Sequence, residues 1–429
     1  MLAALGLNPA IVTLVVLLVM VVFFITDKLP AALVSMLGGS VLVLFGIIEP
    51  AKLFSAFSGS TIVLVAAMMV VGSALFHTGI AAKMADILVK ITGKSENGIM
   101  IAFMLVSAII SSVCSGVAVV AMLLPIVISV SQRAKVSVSR QLIPMSFAAS
   151  FGCNLTLMGA ASNVVVNGAL EDLGVPTMGF FELSKVGIPI TIVGILFFVT
   201  FGKRFLTPGD TSDQEYLAEY TGSNRAIEFN KPKAILCLII LAILVVVMAI
   251  SPSWMPMYLA AAFGAFILVL TGCIRQKDAY KAIDLSTLFI VAGMSAVSAG
   301  MSSSGAGELI ADTAVKVLGS HPNKMLVLFI ILVLVTLLTN AMMNTSCALL
   351  VTPLFIPIVQ AFGMNTMPVA VAICVAASAP FLSPVGSGTN TLIVRPGNLK
   401  FMDFFRPGLG LSVVILIVSM IFIPIFWPL

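Results

Sequence analysis

Long apolar runs separated by short polar segments cover most of the chain. An apolar helix of about 20 residues spans the hydrocarbon core of a bilayer, so each such run is predicted to cross a membrane. The predicted crossings are residues 8–25, 30–48, 59–78, 141–172, 184–201, 234–251, 256–274, 285–301, 366–395 and 407–427. This pattern predicts an all-α polytopic membrane protein. Only 9% of the residues are charged, which agrees with that class and argues against a soluble domain.

Two further apolar stretches, at 97–130 and 324–360, each contain a polar interruption near the middle, at 111–116 and 339–346. Each stretch is too long for one helix and barely long enough for two full crossings. We therefore predict two re-entrant helical hairpins. A non-helical tip at that depth is tolerated only where protein or a water-filled cavity surrounds it.

The distribution of positive charge supports this arrangement. With the hairpins re-entrant, one side of the membrane carries all but four of the 22 Lys and Arg residues. The four on the other side are Lys52, Lys185, Lys316 and Lys324. By the positive-inside rule, we expect a protein of the cytoplasmic membrane with both termini on the non-cytoplasmic side. The formal charge of +5 itself gives no sign of nucleic-acid binding.

Sequence features of the first half recur in the second half at an offset of about 226 positions. Ser60-Thr61 recurs as Ser286-Thr287, Gly79 and Gly93 as Gly305 and Gly319, and Ser162-Asn163 as Thr389-Asn390. Each half contains five predicted crossings, an odd number, so the second repeat is inverted in the membrane. The predicted units are a first repeat at 1–201, a cytoplasmic linker at 202–233 and a second repeat at 234–429.

One crossing in each half contains a polar break, at 159–163 and 384–390. Segments interrupted at matching places in two inverted repeats are typical of a transport site. The second half of a broken helix exposes unpaired N–H groups at its positive dipole end, which bind anions. Carbonyl groups released by the break, together with Asn, Ser and Thr oxygens, suit a sodium ion.

These features give a list of candidate site residues. For an anionic substrate the candidates are Ser115, Gly116, Ala160, Ser162, Asn163, Asn344, Thr345, Ser387, Gly388, Thr389 and Asn390. For sodium they are Ser111, Ser115, Gly159, Asn344 and Gly386. No acidic or basic residue falls at the middle of a predicted crossing, which disfavours proton coupling. We expect no catalytic residue and no cofactor other than the coupling ion.

At these motifs the chain resembles the divalent anion/sodium symporters of the ion transporter superfamily, in particular their sulfate-permease-like branch. The resemblance covers nearly the whole length and is carried by AVVAMLLPI at 118–126, LIPMSFAASFGCNLTLMGAASNVVVN at 142–167 and AASAPFLSPVGSGTN at 376–390. It implies an amphipathic helix after the third crossing of each half, elevator-type movement and a homodimer. The soluble regulatory domains frequent in that branch have no counterpart here.

The resemblance also implies roles for the hairpin tips, which carry Ser-Asn-Thr in each half of that family. The second half matches at Met343-Asn344-Thr345, where Asn and Thr are kept, while the first half keeps only Ser115. The broken crossings resemble the family's Gly-Thr-Pro-Pro-Asn element, with Asn163 and Asn390 retained. We therefore expect sodium coupling to depend mainly on the second half, around Asn344 and Asn390.

The main hypothesis is a secondary transporter of a small divalent anion, sulfate or a di- or tricarboxylate, coupled to sodium and working by alternating access. A sodium-independent anion exchanger is an alternative that the missing Asn and Thr of the first tip would suit. An anion channel and a cation/proton antiporter of the same superfamily are further alternatives. A membrane enzyme is disfavoured, because no His, Asp, Glu and Cys residues cluster at a common depth.

Overall fold

A computed structural model describes residues 7–93, 95–206, 229–319 and 322–429. Within these ranges the chain forms twenty α-helices joined by short turns, and it contains no strand. The helices of the first half are α1 Pro9–Thr26, α2 Ala31–Leu44, α3 Pro50–Ser55, α4 Ser60–His77, α5 Ile80–Thr92, α6 Glu96–Ser111, α7 Gly116–Ala134, α8 Ser139–Gly152, α9 Ala161–Asp172 and α10 Ser184–Thr200. Those of the second half are α11 Lys231–Ile250, α12 Met257–Leu270, α13 Gln276–Ala282, α14 Leu285–Ser304, α15 Ala306–Leu318, α16 Lys324–Thr339, α17 Asn344–Ala361, α18 Thr366–Ala377, α19 Gly388–Val394 and α20 Phe401–Phe426.

The ten helices of the first half recur in the same order in the second half, so that α1 corresponds to α11 and α10 to α20. The amphipathic helices α5 and α15 show the likeness in detail. Each has 13 residues and follows a glycine with φ 73° and ψ 13°, Gly79 in one case and Gly305 in the other. Each ends at a second glycine of positive φ, 85° at Gly93 and 83° at Gly319. Glycine adopts these left-handed conformations without steric cost, which explains its recurrence at four matching positions.

The predicted fold class is confirmed. Among the described residues, seven helical spans are long and apolar enough to cross a membrane, one of them made of α3 and α4 together, and six shorter apolar helices accompany them. Both predicted hairpins are helix pairs, α6–α7 and α16–α17, and both predicted breaks divide a crossing, into α8–α9 and α18–α19. The boundaries of the repeats stay a prediction, and most of the predicted linker, 207–228, lies outside the described residues.

The helices pack as two bundles, built around a large shared apolar core. In the first bundle, α1–α4 contact α11–α14, and the most extensive contact joins α2 to α14. That contact depends on small residues. A β-carbon at Gly293 would lie 2.6 Å from the carbonyl oxygen of Ser35, and one at Gly39 would lie 3.2 Å from Ala296 Cβ. Close backbone approach through glycine is typical of membrane helices, where packing replaces the hydrophobic effect.

The second bundle contains both hairpins and both broken helices, flanked by α10 and α20. In it α6 packs against α8 and α16 against α18, so that each hairpin lies along the broken helix of its own half. Helix α9 joins the two bundles, because it contacts α4 and α14 as well as α17 and α18. The second bundle therefore brings together every segment in which the sequence predicts a site.

We expect Gly293→Ala to destabilise the first bundle by about 1–3 kcal/mol, because the added methyl group overpacks the contact between α2 and α14. The measurement is the apparent unfolding temperature of the purified protein in detergent. Gly179→Ala is the matched control, since a β-carbon there has no neighbour nearer than 3.9 Å. Equal unfolding temperatures for the two variants would contradict this packing argument.

Candidate functional site

The two hairpin tips and the two helix breaks meet inside the second bundle. In the first half, the hydroxyl group of Thr156, in the break, donates a hydrogen bond to the carbonyl oxygen of Ser112, in the tip. In the second half, a β-carbon at Gly386 would lie 2.9 Å from the carbonyl oxygen of Thr339. Each tip therefore lies against the break of its own half.

The tips also contact the broken helix of the opposite half. A β-carbon at Gly388, the first residue of α19, would lie 2.9 Å from Val117 Cγ2 in α7. One at Gly116 would lie 3.3 Å from Thr389 Cγ2. The reverse contact also exists, because the first-half helix α9 packs against α17 of the second-half hairpin. We call the meeting point of the four segments 111–117, 153–163, 339–345 and 380–390 the junction.

Four helix N-termini lie at the junction, those of α7, α9, α17 and α19. Three of them have no side-chain cap, because the N-cap residues Ser115, Ala160 and Met343 accept no hydrogen bond from the helix they precede. The fourth, α19, is capped by Ser387, whose hydroxyl group accepts from the Thr389 amide at 3.3 Å. Uncapped N-termini leave amide donors and a positive dipole end available for an anion. None of the four segments contains a charged residue.

Two asparagines hold the breaks together, and they do so in the same way. Asn163 Nδ2 donates to the carbonyl oxygens of Cys153 at 3.1 Å and Thr156 at 3.5 Å. Asn390 Nδ2 donates to the carbonyl oxygens of Pro380 at 2.8 Å and Ser383 at 3.1 Å. In both cases the acceptors lie ten and seven residues earlier in the chain. Both amide hydrogens of each side chain are thereby used within the protein.

The second break has additional partners in the opposite half. Ser146 Oγ donates to Asn390 Oδ1 at 2.8 Å, and Ser150 Oγ lies 3.3 Å from Thr389 Oγ1. Thr389 Oγ1 also lies 2.8 Å from Ser387 Oγ. Ser146 and Ser150 are not among the residues that the sequence pattern predicts for the site. Their signal was two serines one helical turn apart in an otherwise apolar segment, a spacing that places both on one face of α8.

The second hairpin tip is also internally bonded. Thr339 Oγ1 lies within hydrogen-bonding distance of Asn344 Oδ1, at 3.1 Å, and of the Ala377 carbonyl oxygen, at 2.7 Å. Asn340 Oδ1 accepts from the amide of Leu382 at 2.8 Å, which ties the tip to the break. Thr345 is half-buried beside Asn344. The second tip is therefore bonded both to the end of α18 and to the second break.

The predicted residues differ in how accessible they are. Ser115 and Gly388 are exposed, and Ala160, Asn344 and Thr345 are half-buried. The buried ones are Ser111, Gly116, Gly159, Ser162, Asn163, Gly386, Ser387, Thr389 and Asn390. Direct contact with a ligand is therefore easiest at the two tips and at the start of α19. In the described part of the chain, no cluster of His, Cys, Asp and Glu side chains could hold a metal ion.

A separate cavity of about 350 Å³ lies between α9 and the first bundle. Two consecutive carboxylates at the end of α9 line it, and each accepts a hydrogen bond from the first bundle. Ser60 Oγ donates to Glu171 Oε2 at 3.1 Å, and Ser295 Oγ donates to Asp172 Oδ2 at 2.8 Å. The sequence pattern does not predict this cavity, because both carboxylates fall at the end of a predicted crossing.

A helical membrane bundle in which two hairpin tips and two broken helices meet defines a polytopic membrane transporter. The chain belongs to the citrate transporter family, whose model it matches over residues 21–294 and 246–428. It is 22% identical to the uncharacterized transporter YfbS of Escherichia coli, over 96% of this chain and 98% of that protein. It is 24% identical to an uncharacterized transporter of Haemophilus influenzae, over 95% of this chain and 89% of that protein.

Two solved structures share the fold. The YdaH transporter of Alcanivorax borkumensis superposes with a TM-score of 0.68 at 15% identity, over 98% of both chains. MtrF of Neisseria gonorrhoeae, from a class of antimetabolite efflux pumps, superposes with a TM-score of 0.62 at 15% identity, over 90% of this chain and 84% of that one. At this identity the likeness shows the fold alone. The relatives named here are transporters, which agrees with the prediction that the chain is not an enzyme.

We expect Asn390→Ala to lower the stability of the protein by about 1 kcal/mol more than Asn163→Ala, because Asn390 makes one more buried hydrogen bond, to Ser146. The two variants remove the same side chain from matching positions, so each serves as the control for the other. Apparent unfolding temperatures in sodium-free buffer measure the difference. Equal losses would mean that the Ser146 bond contributes nothing.

Proposed function

We propose that this protein is a secondary transporter of a small multivalent anion, with citrate or another tri- or dicarboxylate as the first candidate. The observation that carries the proposal is the set of uncapped helix N-termini at a junction without charged side chains. Amide groups and helix dipoles bind carboxylate or sulfate oxygens without a fixed cation. The name of the family points to citrate, and the resemblance to sulfate-permease-like proteins makes sulfate the main alternative.

The anion would be held mainly by backbone amides. Asn163 and Asn390 use both hydrogens of their side-chain amides on carbonyl groups of the breaks, so neither has a donor left for an anion. The remaining donors are the amides at the starts of α7, α9 and α17, together with the exposed hydroxyl of Ser115 and the half-buried hydroxyl of Thr345. Asn344, whose side-chain amide lies 3.1 Å from Thr339 Oγ1, would contribute an amide hydrogen that this contact leaves free.

Sodium coupling by alternating access is the mechanism that we favour. The junction offers neutral oxygens from carbonyl, hydroxyl and amide groups, which suit a hard monovalent cation. We further propose that the second bundle moves against the first as an elevator, in a homodimer with both termini outside the cytoplasm. The two bundles meet along α9, where a β-carbon at Gly168 would lie 2.3 Å from Thr61 Oγ1, and this contact is where we expect them to move past each other.

We expect a multivalent anion to raise the apparent unfolding temperature of the purified protein, and to do so more strongly in sodium than in choline. A ligand that binds the folded state stabilises it by RT ln(1 + [L]/Kd), about 2.7 kcal/mol at 100 times Kd. The screen compares citrate, succinate, malate and sulfate, each as the sodium and the choline salt. Monovalent acetate is the control for general salt effects.

Uptake of the stabilising anion into proteoliposomes then tests transport itself. Accumulation driven by an inward sodium gradient is the expected result. Counterflow without any sodium requirement would favour the sodium-independent exchanger, and single-channel currents would favour an anion channel. If no multivalent anion stabilises the protein or enters the vesicles, the proposed function is wrong.

A proton-coupled transporter is the second candidate, and the cavity beside α9 is the observation that favours it. Glu171 and Asp172 line that cavity at a contact between the two bundles, and each is hydrogen-bonded to a serine of the first bundle. Carboxylates placed between parts that move against each other could bind protons in one state and release them in the other. This arrangement needs no sodium.

Asp172→Asn distinguishes the two candidates, because asparagine can still accept the Ser295 hydrogen bond but cannot ionise. If sodium is the coupling ion, we expect the variant to keep its sodium-driven uptake within about twofold and to keep the same dependence on pH. If protons are the coupling ion, the variant loses pH-gradient-driven accumulation while exchange of bound substrate continues. Uptake under separate sodium and pH gradients measures the difference.

A further inference from the structure

The two halves of the junction differ in how their buried side-chain oxygens are bonded. At the second break, Asn390 Oδ1 and Thr389 Oγ1 have partners in Ser146 and Ser150 of α8. The repeat relates Ser146 and Ser150 to Ile373 and Ala377 of α18, neither of which carries a hydroxyl group. The corresponding atoms of the first break, Asn163 Oδ1 and Ser162 Oγ, are buried and have no hydrogen-bond partner among the described residues.

Asn163 Oδ1 is the most informative of these atoms. The two bonds from Nδ2 to the carbonyl oxygens of Cys153 and Thr156 fix which way the amide faces, since a flipped amide would set oxygen against oxygen. The oxygen can then only accept. Its residue is 0% exposed, and an unsatisfied buried acceptor costs about 1–3 kcal/mol. The atom therefore requires a hydrogen-bond donor or a cation, and it repels an anion.

Neighbouring helices supply further oxygens of the same kind. Helix α9 packs against α17, which carries Ser346, and against α18, which ends immediately before Ser378. The hydroxyl groups of Ser346 and Ser378 are buried without a partner in the described structure, and so is that of Ser162. These three residues are 1%, 2% and 1% exposed, respectively. Helices α9, α17 and α18 contact one another, and each carries or adjoins at least one buried side-chain oxygen without a hydrogen-bond partner among the described residues. All of these oxygens are uncharged.

We propose that a sodium ion binds between the start of α9 and helices α17 and α18, with Asn163 Oδ1 as its fixed ligand and hydroxyl groups of Ser162, Ser346 and Ser378 as candidates for the others. Neutral oxygens suit a monovalent cation, whereas a divalent cation in proteins is usually bound by carboxylates. This inference deepens the proposed sodium coupling, and it rests on that proposal. We therefore expect sodium binding to depend on Asn163 and not on Asn390, because Asn390 Oδ1 already accepts a hydrogen bond from Ser146.

The symmetry of the repeat provides the decisive variant. Ile373→Thr places a hydroxyl group at the position that corresponds to Ser146, where it can donate to Asn163 Oδ1 and compete with sodium. Ile373→Val is the matched control, because valine has nearly the same shape as threonine and no hydroxyl group. We expect the sodium concentration that gives half-maximal thermal stabilisation to be about tenfold higher for Ile373→Thr than for Ile373→Val. The protein is purified without substrate, and choline replaces sodium in the titration.

A second pair of variants decides the question if Ile373→Thr does not fold. Ser162→Ala removes one candidate ligand and is expected to weaken sodium binding, again about tenfold. Ser131→Ala is its control, because Ser131 is also a buried serine without a partner but lies near the far end of α7, about 22 Å along the helix from the junction. Direct binding of radioactive sodium gives the same comparison independently of stability.

Each result has a definite meaning. Unchanged sodium affinity in both Ile373→Thr and Ser162→Ala would overturn the inference and would indicate that water satisfies these oxygens. If sodium affinity stays unchanged while anion uptake remains sodium-driven, the proposed function stands and only the location of the cation is wrong. If sodium neither stabilises nor binds to the unmodified protein, both the inference and sodium coupling fail.

Discussion

A helix can be interrupted in an apolar interior only if the backbone groups freed by the break find partners, and the rest of this site depends on how that requirement is met. One asparagine in each half meets part of it, by donating both side-chain hydrogens to carbonyl groups within the break. Each unsatisfied group would cost several kcal/mol in a membrane. Because the asparagines donate to carbonyl groups, they leave amide groups free, and the N-termini of α7, α9 and α17 remain uncapped at the junction.

The asparagine makes the same two hydrogen bonds in both repeats, but the residues around the two asparagines differ. Ser146 and Ser150 close the hydrogen-bond network of the second break, and the matching positions Ile373 and Ala377 leave that of the first break open. The hairpin tips differ in the same sense. The second tip is bonded internally through Thr339 and Asn344, whereas glycine at the first tip, Gly116, provides no side chain for Ser111 to meet. An inverted repeat therefore supplies a symmetric backbone frame, and single side chains decide which functions each half can perform.

Much of this frame follows from the sequence, because run length, polar interruption and glycine position are local properties. The bounds of α4 agree with the predicted crossing to within one residue, and α5 and α15 each lie between two of the glycines that recur in the two halves. Helix α11 begins at Lys231, earlier than predicted, because Asn230 caps it and Pro232 suits its first turn. Helices α3 and α13 were missed, being only six and seven residues long. The bond between Ser146 and Asn390 joins residues 244 positions apart and depends on how the halves pack, which no local pattern records.

The absence of charged residues from the junction segments constrains how anion and cation binding can be linked. Helix dipoles and amide groups stabilise an anion by partial charges only, so a multivalent anion would bring more negative charge than the junction can neutralise. A cation held nearby on neutral oxygens offsets part of that charge, and at short range in a medium of low dielectric constant this interaction is strong. The two ligands then raise each other's affinity by the same factor, as linkage requires. A site built without fixed charges therefore favours joint occupation by both ions over occupation by either alone, which is the property that a symporter needs.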